Sequence, residues 1–291
     1  RRVLFRSGKS LSKILKEEIK AEVEDLGLKP HLVVILVGDD GASETYVNSK
    51  IKSCQEVGFK SSLVRLPSDV TEEKLLDVIY SANEDDNIHG LIVQLPLPKH
   101  ISQEKVLESI NPEKDVDGFH PLNVGKLSLG LDCFVPATPF GIMMMLERYG
   151  IQTEGKHCVV LGRSHIVGSP MSVLLSKNDS PGNCTVTLCH SKTPNLSDYT
   201  LKADILIVAI GKPLFVGPEM VKEGAVVIDV GIHRIETDNQ KGYKIVGDVD
   251  YEKVSPKCSA ITPVPGGVGP MTITGLLFNT LKSIKNLKTW A

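Results

Sequence analysis

Two kinds of hydrophobic pattern alternate along the first half of the chain. Apolar residues recur at helical spacing in segments 10–27, 42–57 and 69–83. The apolar run at 31–37 predicts a buried strand, 62–66 predicts a short strand, and 88–95 predicts another apolar strand. Ser10 predicts the start of the first helix, Asp69 with Glu72 predicts a capping box, and Gly27 and Gly58 predict helix ends. This alternation predicts a parallel sheet with helices on both faces.

A second alternation of strands and helices begins near residue 150. Thr138 and Pro139 predict the start of a helix that ends at Gly150. The pattern then predicts strands at 157–161, 185–188, 204–209 and 225–230, a helix at 168–176 and a closing amphipathic helix at 272–287. Together with the length of 291 residues, this restart predicts an α/β protein of two domains with a boundary near residue 140.

The first seven residues are left out of this prediction. They contain no initiator Met, and Arg-Arg-Val-Leu-Phe-Arg-Ser resembles a translated sequencing adaptor. The alternative is that they form a native first strand. The rest of the chain contains no internal repeat and no low-complexity segment.

Composition argues against several classes of protein. With 41% hydrophobic and 23% charged residues, the chain is typical of a globular protein. A formal net charge of -2 gives no reason to expect nucleic acid or an anionic membrane as partner. No apolar run approaches the ~20 residues that a membrane span needs. The six cysteines include no C-x-x-C pair and no zinc-site spacing, so we expect free thiols, no metal and a cytoplasmic location.

A glycine-rich turn in the second half is typical of a dinucleotide site. The predicted strand 157–161 leads into Gly162-Arg163-Ser164-His165-Ile166-Val167-Gly168, followed by a predicted helix. At such a turn, backbone N–H groups and the helix N-terminus face the pyrophosphate. The spacing departs from G-x-G-x-x-G, since Ser164 stands at the second glycine, and similar turns also occur in ligand-free α/β domains.

The end of the next strand distinguishes between the two nicotinamide cofactors. NAD-binding proteins usually place an acidic residue there to bind the ribose 2′-hydroxyl. Here the strand is followed by His190-Ser191-Lys192-Thr193, without a carboxylate. A hydroxyl and cations, with Arg163 nearby, suit a 2′-phosphate, so the sequence favours NADP. The alternative for Lys192 is a solvated surface charge.

Candidate chemistry in the first half lies in three segments. Ser43, Tyr46 and Lys50 share one face of a predicted helix, although such pairs are also common on solvated helices. Gln94 is a polar residue at the end of an apolar strand, where open α/β sheets place their sites. Asp115-Val116-Asp117-Gly118-Phe119 puts two acidic residues in one turn, which is also consistent with ordinary turn chemistry.

From about Gly8 to Lys288 the chain resembles the bifunctional methylenetetrahydrofolate dehydrogenase/cyclohydrolase family. The motifs that carry the resemblance occur in the family's order: Ser43-x-x-Tyr46-x-x-x-Lys50, Val93-Gln94-Leu95-Pro96-Leu97-Pro98, Asp115-Val116-Asp117-Gly118-Phe119, Gly162-Arg163-Ser164-x-Ile166-Val167-Gly168-x-Pro170, Asp229-Val230-Gly231-Ile232 and Pro263-Val264-Pro265-Gly266-Gly267-Val268-Gly269-Pro270-Met271-Thr272. One departure is Ala137, where the family commonly has Cys; no step expected here requires that thiol.

The resemblance implies the architecture and the reaction. It implies a folate-binding catalytic domain of residues 8–139 plus 272–291 and a Rossmann-like NADP-binding domain of residues 140–271. The enzyme would oxidise 5,10-methylenetetrahydrofolate with NADP⁺ and hydrolyse the methenyl product to 10-formyltetrahydrofolate, within one-carbon metabolism and purine biosynthesis. The family is usually homodimeric through its cofactor domain.

The resemblance also implies roles for individual residues. Lys50 is the catalytic cation and Gln94 is bonded to it, Tyr46 packs on the aminobenzoyl ring, and Asp117 binds the amine edge of the pterin. The residues that bind NADP are Gly162, Arg163, Ser164, Ile166, Val167, Gly168, Ser191 at the 2′-phosphate, and Ile232. The residues that line the folate cleft are Pro265, Gly266 and Gly267.

Three alternatives remain open from the sequence. The first is a dehydrogenase that lacks cyclohydrolase activity or uses NAD. The second is a two-domain dehydrogenase of amino or hydroxy acids, which would not explain Tyr46, Lys50, Gln94 and Asp117 together. The third is a non-catalytic dinucleotide sensor, which the presence of Lys50 argues against.

Overall fold

The computed structural model describes residues 4–5, 7–238 and 242–288, with no account of the side chains of 4, 5, 42 and 286–288. The strands are β1 (Leu4–Phe5), β2 (His31–Val37), β3 (Lys60–Leu66), β4 (Gly90–Val93), β5 (His157–Leu161), β6 (Thr185–Cys189), β7 (Ile205–Val208), β8 (Val226–Asp229), β9 (His233–Glu236), β10 (Tyr243–Val246) and β11 (Ala260–Ile261). The α-helices are α1 (Gly8–Asp25), α2 (Gly41–Glu56), α3 (Glu72–Glu84), α4 (Gln103–Ser109), α5 (Pro121–Ser128), α6 (Ala137–Arg148), α7 (Gly168–Ser176), α8 (Ser197–Thr200), α9 (Tyr251–Val254) and α10 (Val268–Lys288).

The chain divides into two compact units. The N-terminal unit comprises residues 13–137 and those from 273 onward, and the C-terminal unit comprises 138–272 and residues up to 12. Residues 8–12, which the predicted division placed with the first domain, therefore lie with the C-terminal unit. Two interactions account for this: β1 pairs with β11, and the Lys9 N–H donates to the Gly266 carbonyl at 2.9 Å.

The N-terminal unit is built on a parallel sheet with strand order β3-β2-β4. All seven residues of the central strand β2 are buried. Leu32, Val34 and Leu36 face a core shared with α1, α2 and α10. Val33, Ile35 and Val37 face a second core shared with α3 and α4. A strand buried on both faces explains the unbroken apolar run, and the predicted parallel sheet covered on both faces is confirmed.

The C-terminal unit contains a six-stranded parallel sheet with the order β1-β11-β8-β7-β5-β6, and an antiparallel hairpin of β9 and β10. Its core is formed by the apolar faces of β5, β7 and β8 with the segments that connect them. Leu4 and Phe5 form the edge strand β1, which is the alternative considered for the excluded residues; residues 1–3 and 6 lie outside the described residues.

Several predicted elements differ in their limits. The capping box at Asp69 is wrong: α3 begins at Glu72, and the Thr71 hydroxyl accepts the Lys74 N–H at 3.2 Å. The closing helix begins at Val268 rather than Thr272. The pattern did not indicate α4, α5 or the hairpin of β9 and β10. In the described part of the chain, no helix is both long and apolar enough to span a bilayer.

Candidate active site

Helix α2 brings Tyr46 and Lys50 together on one face, as their spacing of four predicts. The Lys50 Nζ lies 4.9 Å from the centroid of the Tyr46 ring, within the range of a cation–π contact. Lys50 is only 4% exposed, and Ser43 is buried earlier on the same helix. The Asp40 carboxylate caps this end of α2 by accepting the Ser43 N–H at 2.8 Å.

Gln94 connects this helix face to the sheet. It follows the last residue of β4, and its N–H extends the ladder by donating to the Ile35 carbonyl. Its side-chain amide donates to the Leu95 carbonyl at 2.7 Å and accepts from Lys50 Nζ at 3.2 Å. The two bonds fix the amide orientation, with the oxygen toward the lysine. Tyr46, Lys50 and Gln94 therefore form one group, defined here as the lysine cluster.

The lysine cluster surrounds the Lys50 amino group with neutral groups. Among the described residues, no carboxylate lies within 4.0 Å of Lys50 Nζ. Cys54, one turn further along α2, is also buried, and burial raises the pKa of its thiol to about 12, so it adds no compensating negative charge. Removing a charge from water without a counterion is costly. Such an arrangement is more typical of a reactive amine than of an ion pair that stabilises a fold.

The turn between α4 and α5 contains the two acidic residues of the Asp115–Phe119 motif in different environments. Asp117 is half-buried, whereas Asp115 is 1% exposed. The Asp115 carboxylate accepts the N–H groups of Gly118 (3.1 Å), Phe119 (3.2 Å) and His120 (2.8 Å). Asp115 thus fixes the backbone that directly follows Asp117.

Sequence reasoning gave Asp115 no role. The Asn123 amide is its fourth donor, at 2.9 Å. Burial raises the pKa of Asp115 to about 6, although the hydrogen bonds oppose that rise. Gly118 closes the turn with φ +74°, and a Cβ there would lie 2.7 Å from the Phe134 carbonyl oxygen. The signal available in the sequence was the pairing of Asp115 with a glycine three residues later, but it did not indicate burial.

In the C-terminal unit, two glycines fix the turn between β5 and α7. Gly162 has φ +112°, and a Cβ on it would lie 2.1 Å from the Ala209 carbonyl oxygen. A Cβ on Gly168 would lie 1.9 Å from the Gly162 carbonyl oxygen. Only glycine fits these two positions without moving backbone, so the turn can pass close to both neighbouring segments.

The residues between the two glycines face outward. Arg163, Ser164, His165 and Ile166 are exposed, and within the described structure their backbone N–H groups have no hydrogen-bond acceptor. The Ser164 hydroxyl accepts the Val167 N–H at 3.1 Å, which holds the turn in shape. Four open amides before a nine-residue helix can bind an anionic group.

The remaining predicted cofactor residues fall into two groups. Ser191 and Ile232 are exposed, Ile232 by 68%. Val167 and Gly168 are buried, so they can only contribute to a cofactor site through the backbone. Ser191 lies in a turn held by the Thr193 hydroxyl, which accepts the His190 N–H at 2.9 Å.

The predicted cleft residues Pro265, Gly266 and Gly267 lie in the C-terminal unit. Pro265 follows a cis peptide bond and is exposed, and Gly266 has φ +100°. A Cβ on the buried Gly267 would lie 2.5 Å from the Pro263 carbonyl oxygen, so this loop too is built around glycine.

Both halves of the chain match one family. Residues 7–117 match the tetrahydrofolate dehydrogenase/cyclohydrolase catalytic domain, and residues 136–288 match the NAD(P)-binding domain of the same family. The bifunctional protein FolD of Cytophaga hutchinsonii is 60% identical over 281 residues, which are 95% of this chain and 97% of that protein.

Two solved structures have the same fold. The FolD methylenetetrahydrofolate dehydrogenase/cyclohydrolase of Campylobacter jejuni is 52% identical, with a TM-score of 0.91 over 98% of this chain and 99% of that one. The Trypanosoma brucei FolD, solved with NADP and an inhibitor, is 38% identical, with a TM-score of 0.92 over 98% of each chain. The resemblance drawn from the motifs is confirmed, and the chain belongs to the tetrahydrofolate dehydrogenase/cyclohydrolase family.

Proposed function

We propose that this protein oxidises 5,10-methylenetetrahydrofolate to 5,10-methenyltetrahydrofolate with NADP⁺ and hydrolyses the product to 10-formyltetrahydrofolate. The observation that carries the proposal is the lysine cluster, in the part that matches the family's catalytic domain. Its buried amine has no carboxylate partner among the described residues. Relatives described as bifunctional, over nearly their whole length, support both activities in one chain. The product belongs to one-carbon metabolism and supplies purine biosynthesis.

The N-terminal unit binds and orients the folate. Tyr46 packs its ring on the aminobenzoyl group, and Asp117 accepts hydrogen bonds from the amine edge of the pterin. Asp117 is half-buried in a turn fixed by Asp115, so it is held in place before the substrate arrives. Holding the reacting carbon in place is the main contribution of the protein to hydride transfer.

Lys50 serves the hydrolytic step. Water adds to the methenyl carbon, and the Lys50 amine accepts one of its protons. The resulting hydroxyl then loses its remaining proton to solvent as the formyl C=O forms and the carbon–nitrogen bond breaks. The protonated Lys50 returns its proton to the leaving nitrogen, so that one proton is released overall. A buried amine can exchange protons with a substrate only if its lone pair points at the reacting atom. Gln94 keeps Lys50 in that position, since its oxygen is fixed by the bond from its own amide to Leu95.

NADP⁺ binds to the C-terminal unit and supplies the hydride acceptor. Its pyrophosphate fits the four open amides between Gly162 and Gly168, because no acceptor within the described residues competes for them. Arg163 and Ser191, both exposed, bind the 2′-phosphate, and Lys192 adds a second positive charge. Ile166 and Ile232 offer exposed apolar contacts, and Val167 and Gly168 contribute backbone.

The protein forms a homodimer through the C-terminal unit. In the described structure β6 pairs only with β5, so its other edge is open. An open strand edge with a large apolar side chain such as Leu188, 36% exposed, favours pairing with a second chain. Sedimentation of the wild type and of Leu188→Lys tests the interface: the wild type should sediment as a dimer and the variant as a monomer.

The protein is located in the cytoplasm. Its six cysteines are free thiols, and free thiols are typical of proteins in that reducing compartment.

One assay tests the reaction. Purified protein is mixed with 5,10-methylenetetrahydrofolate and either NADP⁺ or NAD⁺, and the methenyl product is followed as it forms and decays. We expect formation with NADP⁺ followed by decay faster than in buffer. Formation without accelerated decay would leave a dehydrogenase alone, and formation only with NAD⁺ would contradict the cofactor. No turnover with either cofactor would leave the dinucleotide sensor or a dehydrogenase of another substrate class.

A further inference from the structure

A buried carboxylate holds the loop that follows β7. Asp248 comes two residues after β10 and is completely buried. Its Oδ2 accepts the N–H groups of Ile210 at 2.8 Å and Gly211 at 3.0 Å, and its Oδ1 accepts the Lys212 N–H at 2.8 Å. Three consecutive amides therefore converge on one side chain, and the loop 210–212 takes its shape from that side chain.

A second buried carboxylate holds Asp248 itself. Asp229, the last residue of β8, accepts the Asp248 N–H and the Gly231 N–H with Oδ1, both at 3.0 Å, and the Val249 N–H with Oδ2 at 3.0 Å. The backbone at Gly247 packs directly against Asp229, since a Cβ on this glycine would lie 1.9 Å from Asp229 Oδ2. The two carboxylates thus connect the loops that follow β7 and β8.

One side chain contacts Asp248 from the start of β9. The His233 Nε2 lies 2.7 Å from Asp248 Oδ1 and is the only side-chain partner of that carboxylate among the described residues. Burial, with the charge of Asp248, raises the pKa of Asp229 to about 7. The lysine and arginine side chains near these loops face aromatic rings: Lys212 lies over Phe215, and Arg234 over Tyr243.

The loops held by this pair lie where the cofactor is expected. They follow β7 and β8 at the carboxyl end of the sheet, the end at which β5 leads into the Gly162 turn. A Cβ on Gly162 would lie 2.1 Å from the carbonyl oxygen of Ala209, so the turn directly contacts the residue before the loop 210–212. Ile232, one of the proposed cofactor residues, lies between Gly231 and His233, which bond to the two carboxylates.

We propose that Asp248 is a positioning residue for the cofactor: its carboxylate, oriented by His233 and Asp229, sets the loops 210–212 and 230–232 in the form that NADP⁺ binds. The inference rests on the proposed NADP⁺ site. A purely stabilising role fits the composition of the cluster poorly, because buried ionised groups are often no more stabilising than apolar residues of similar size.

The proposal predicts a selective defect, because hydrolysis of the methenyl compound consumes no dinucleotide. Asp248→Asn keeps the size of the side chain but replaces one acceptor oxygen with a donor that faces N–H groups. We expect the Kd for NADP⁺, measured by calorimetry below the melting temperature, to rise at least ~10-fold, the loss typical of one hydrogen bond to a charged group. Dehydrogenase activity should fall, while hydrolysis of added methenyltetrahydrofolate stays near the wild-type rate.

Two further variants make the experiment decisive. Asp250→Asn is the matched control, since this carboxylate lies two residues on and pairs with the exposed Lys253 at 2.8 Å; its Kd should equal that of the wild type. His233→Gln removes the imidazole and leaves Asp248 in place, so it tests the positioning role even if Asp248→Asn does not fold. We expect it to raise the Kd by a smaller factor and to reduce the ratio of dehydrogenase to cyclohydrolase rates.

The failures of the two hypotheses are distinguishable. A wild-type protein that does not bind NADP⁺ would overturn the proposed cofactor site. A wild type that binds, together with folded Asp248→Asn or His233→Gln variants that bind NADP⁺ equally well, would overturn the positioning role alone. Variants that only melt earlier and lose both activities in equal proportion would overturn it as well.

Discussion

The Lys50 amino group donates a hydrogen bond to the side-chain oxygen of Gln94 at 3.2 Å, although 44 positions separate the two residues. The helix supplies the donor and the strand end supplies the acceptor. Because the acceptor is neutral and no carboxylate of the described residues lies within 4.0 Å, Lys50 keeps its position without an ion pair, as the proposed exchange of protons with a substrate requires.

Lys50→Met should separate the two activities. The change keeps the length of the side chain and removes the amine, so cyclohydrolase activity should fall by ~10²–10⁴-fold, the usual contribution of a general acid or base. Dehydrogenase activity should survive in part, and the methenyl compound should accumulate. The measurement is absorbance of the methenyl product over time, with a thermal melt to confirm folding.

Lys52→Met is the matched control for this variant. Lys52 lies on the same helix but is exposed, so its loss should change neither activity. A folded Lys50→Met protein that hydrolyses methenyltetrahydrofolate at the wild-type rate would rule out the catalytic role. A protein that does not fold would instead indicate that Lys50 holds α2 to the sheet.

Asp117→Ala should weaken folate binding for both activities. A charged hydrogen bond to the pterin edge contributes about 1.5–3 kcal/mol, so KM for both folate substrates should rise by about 10- to 100-fold. Asp69→Ala, an exposed turn aspartate of the same unit, is the control and should leave both values unchanged. The assignment fails if only the hydrolytic activity falls while folate affinity stays intact.

Asp115 should make the protein relatively more stable as the pH falls. Its folded-state pKa of about 6 lies above the ordinary value of 3.8, so the folded state binds the proton more readily and gains stability as the pH falls through 6 toward 3.8. Relative to Asp115→Asn, the free energy of unfolding of the wild type should therefore rise by about 2 kcal/mol between pH 7.5 and pH 4.5. Urea denaturation of both proteins at each pH measures this difference. Subtracting the two free energies of unfolding removes the contribution of the other carboxylates, which both proteins share. A difference that shrinks as the pH falls would mean that the four hydrogen bonds outweigh burial.

Arg163→Ala should discriminate between the cofactors. Arg163 is exposed at the start of the glycine turn and faces no carboxylate within 4.0 Å among the described residues. Loss of one charged contact to the 2′-phosphate should raise the KM for NADP⁺ about 10-fold and leave that for NAD⁺ nearly unchanged. Lys202→Ala, an exposed cation near the opposite end of the sheet, serves as control. Equal use of both cofactors by the wild type would contradict the preference.

The sequence by itself determined the features that depend on neighbours along the chain. The run 31–37 indicated a strand buried on both faces because every residue after its first is apolar. Spacing of four placed Tyr46 and Lys50 on one helix face, and the glycines at 162 and 168 indicated a glycine-rich turn, in which the structure leaves no room for a Cβ at either position. These features depend on backbone geometry over a few residues, which the chain specifies locally. Short elements were missed because they contain too few buried residues to show a periodic pattern. Helix α4, for example, has seven residues and buries only Val106.

Only the tertiary structure decided which polar groups meet. The acidic residues at 115 and 117 look alike in the sequence, yet Asp115 is enclosed by four donors and Asp117 is half-buried, because the solvation of a turn depends on what packs over it. The resemblance to the family implied the bond between Gln94 and Lys50, but no pattern along the chain did; it forms because the register of β2 and β4 sets where β4 ends relative to α2. The same holds for Asp248, which collects three amides from a loop more than 30 positions earlier in the chain. Burial and long-range partners are properties of the packed chain, since they depend on strand register and on the layers that cover each turn.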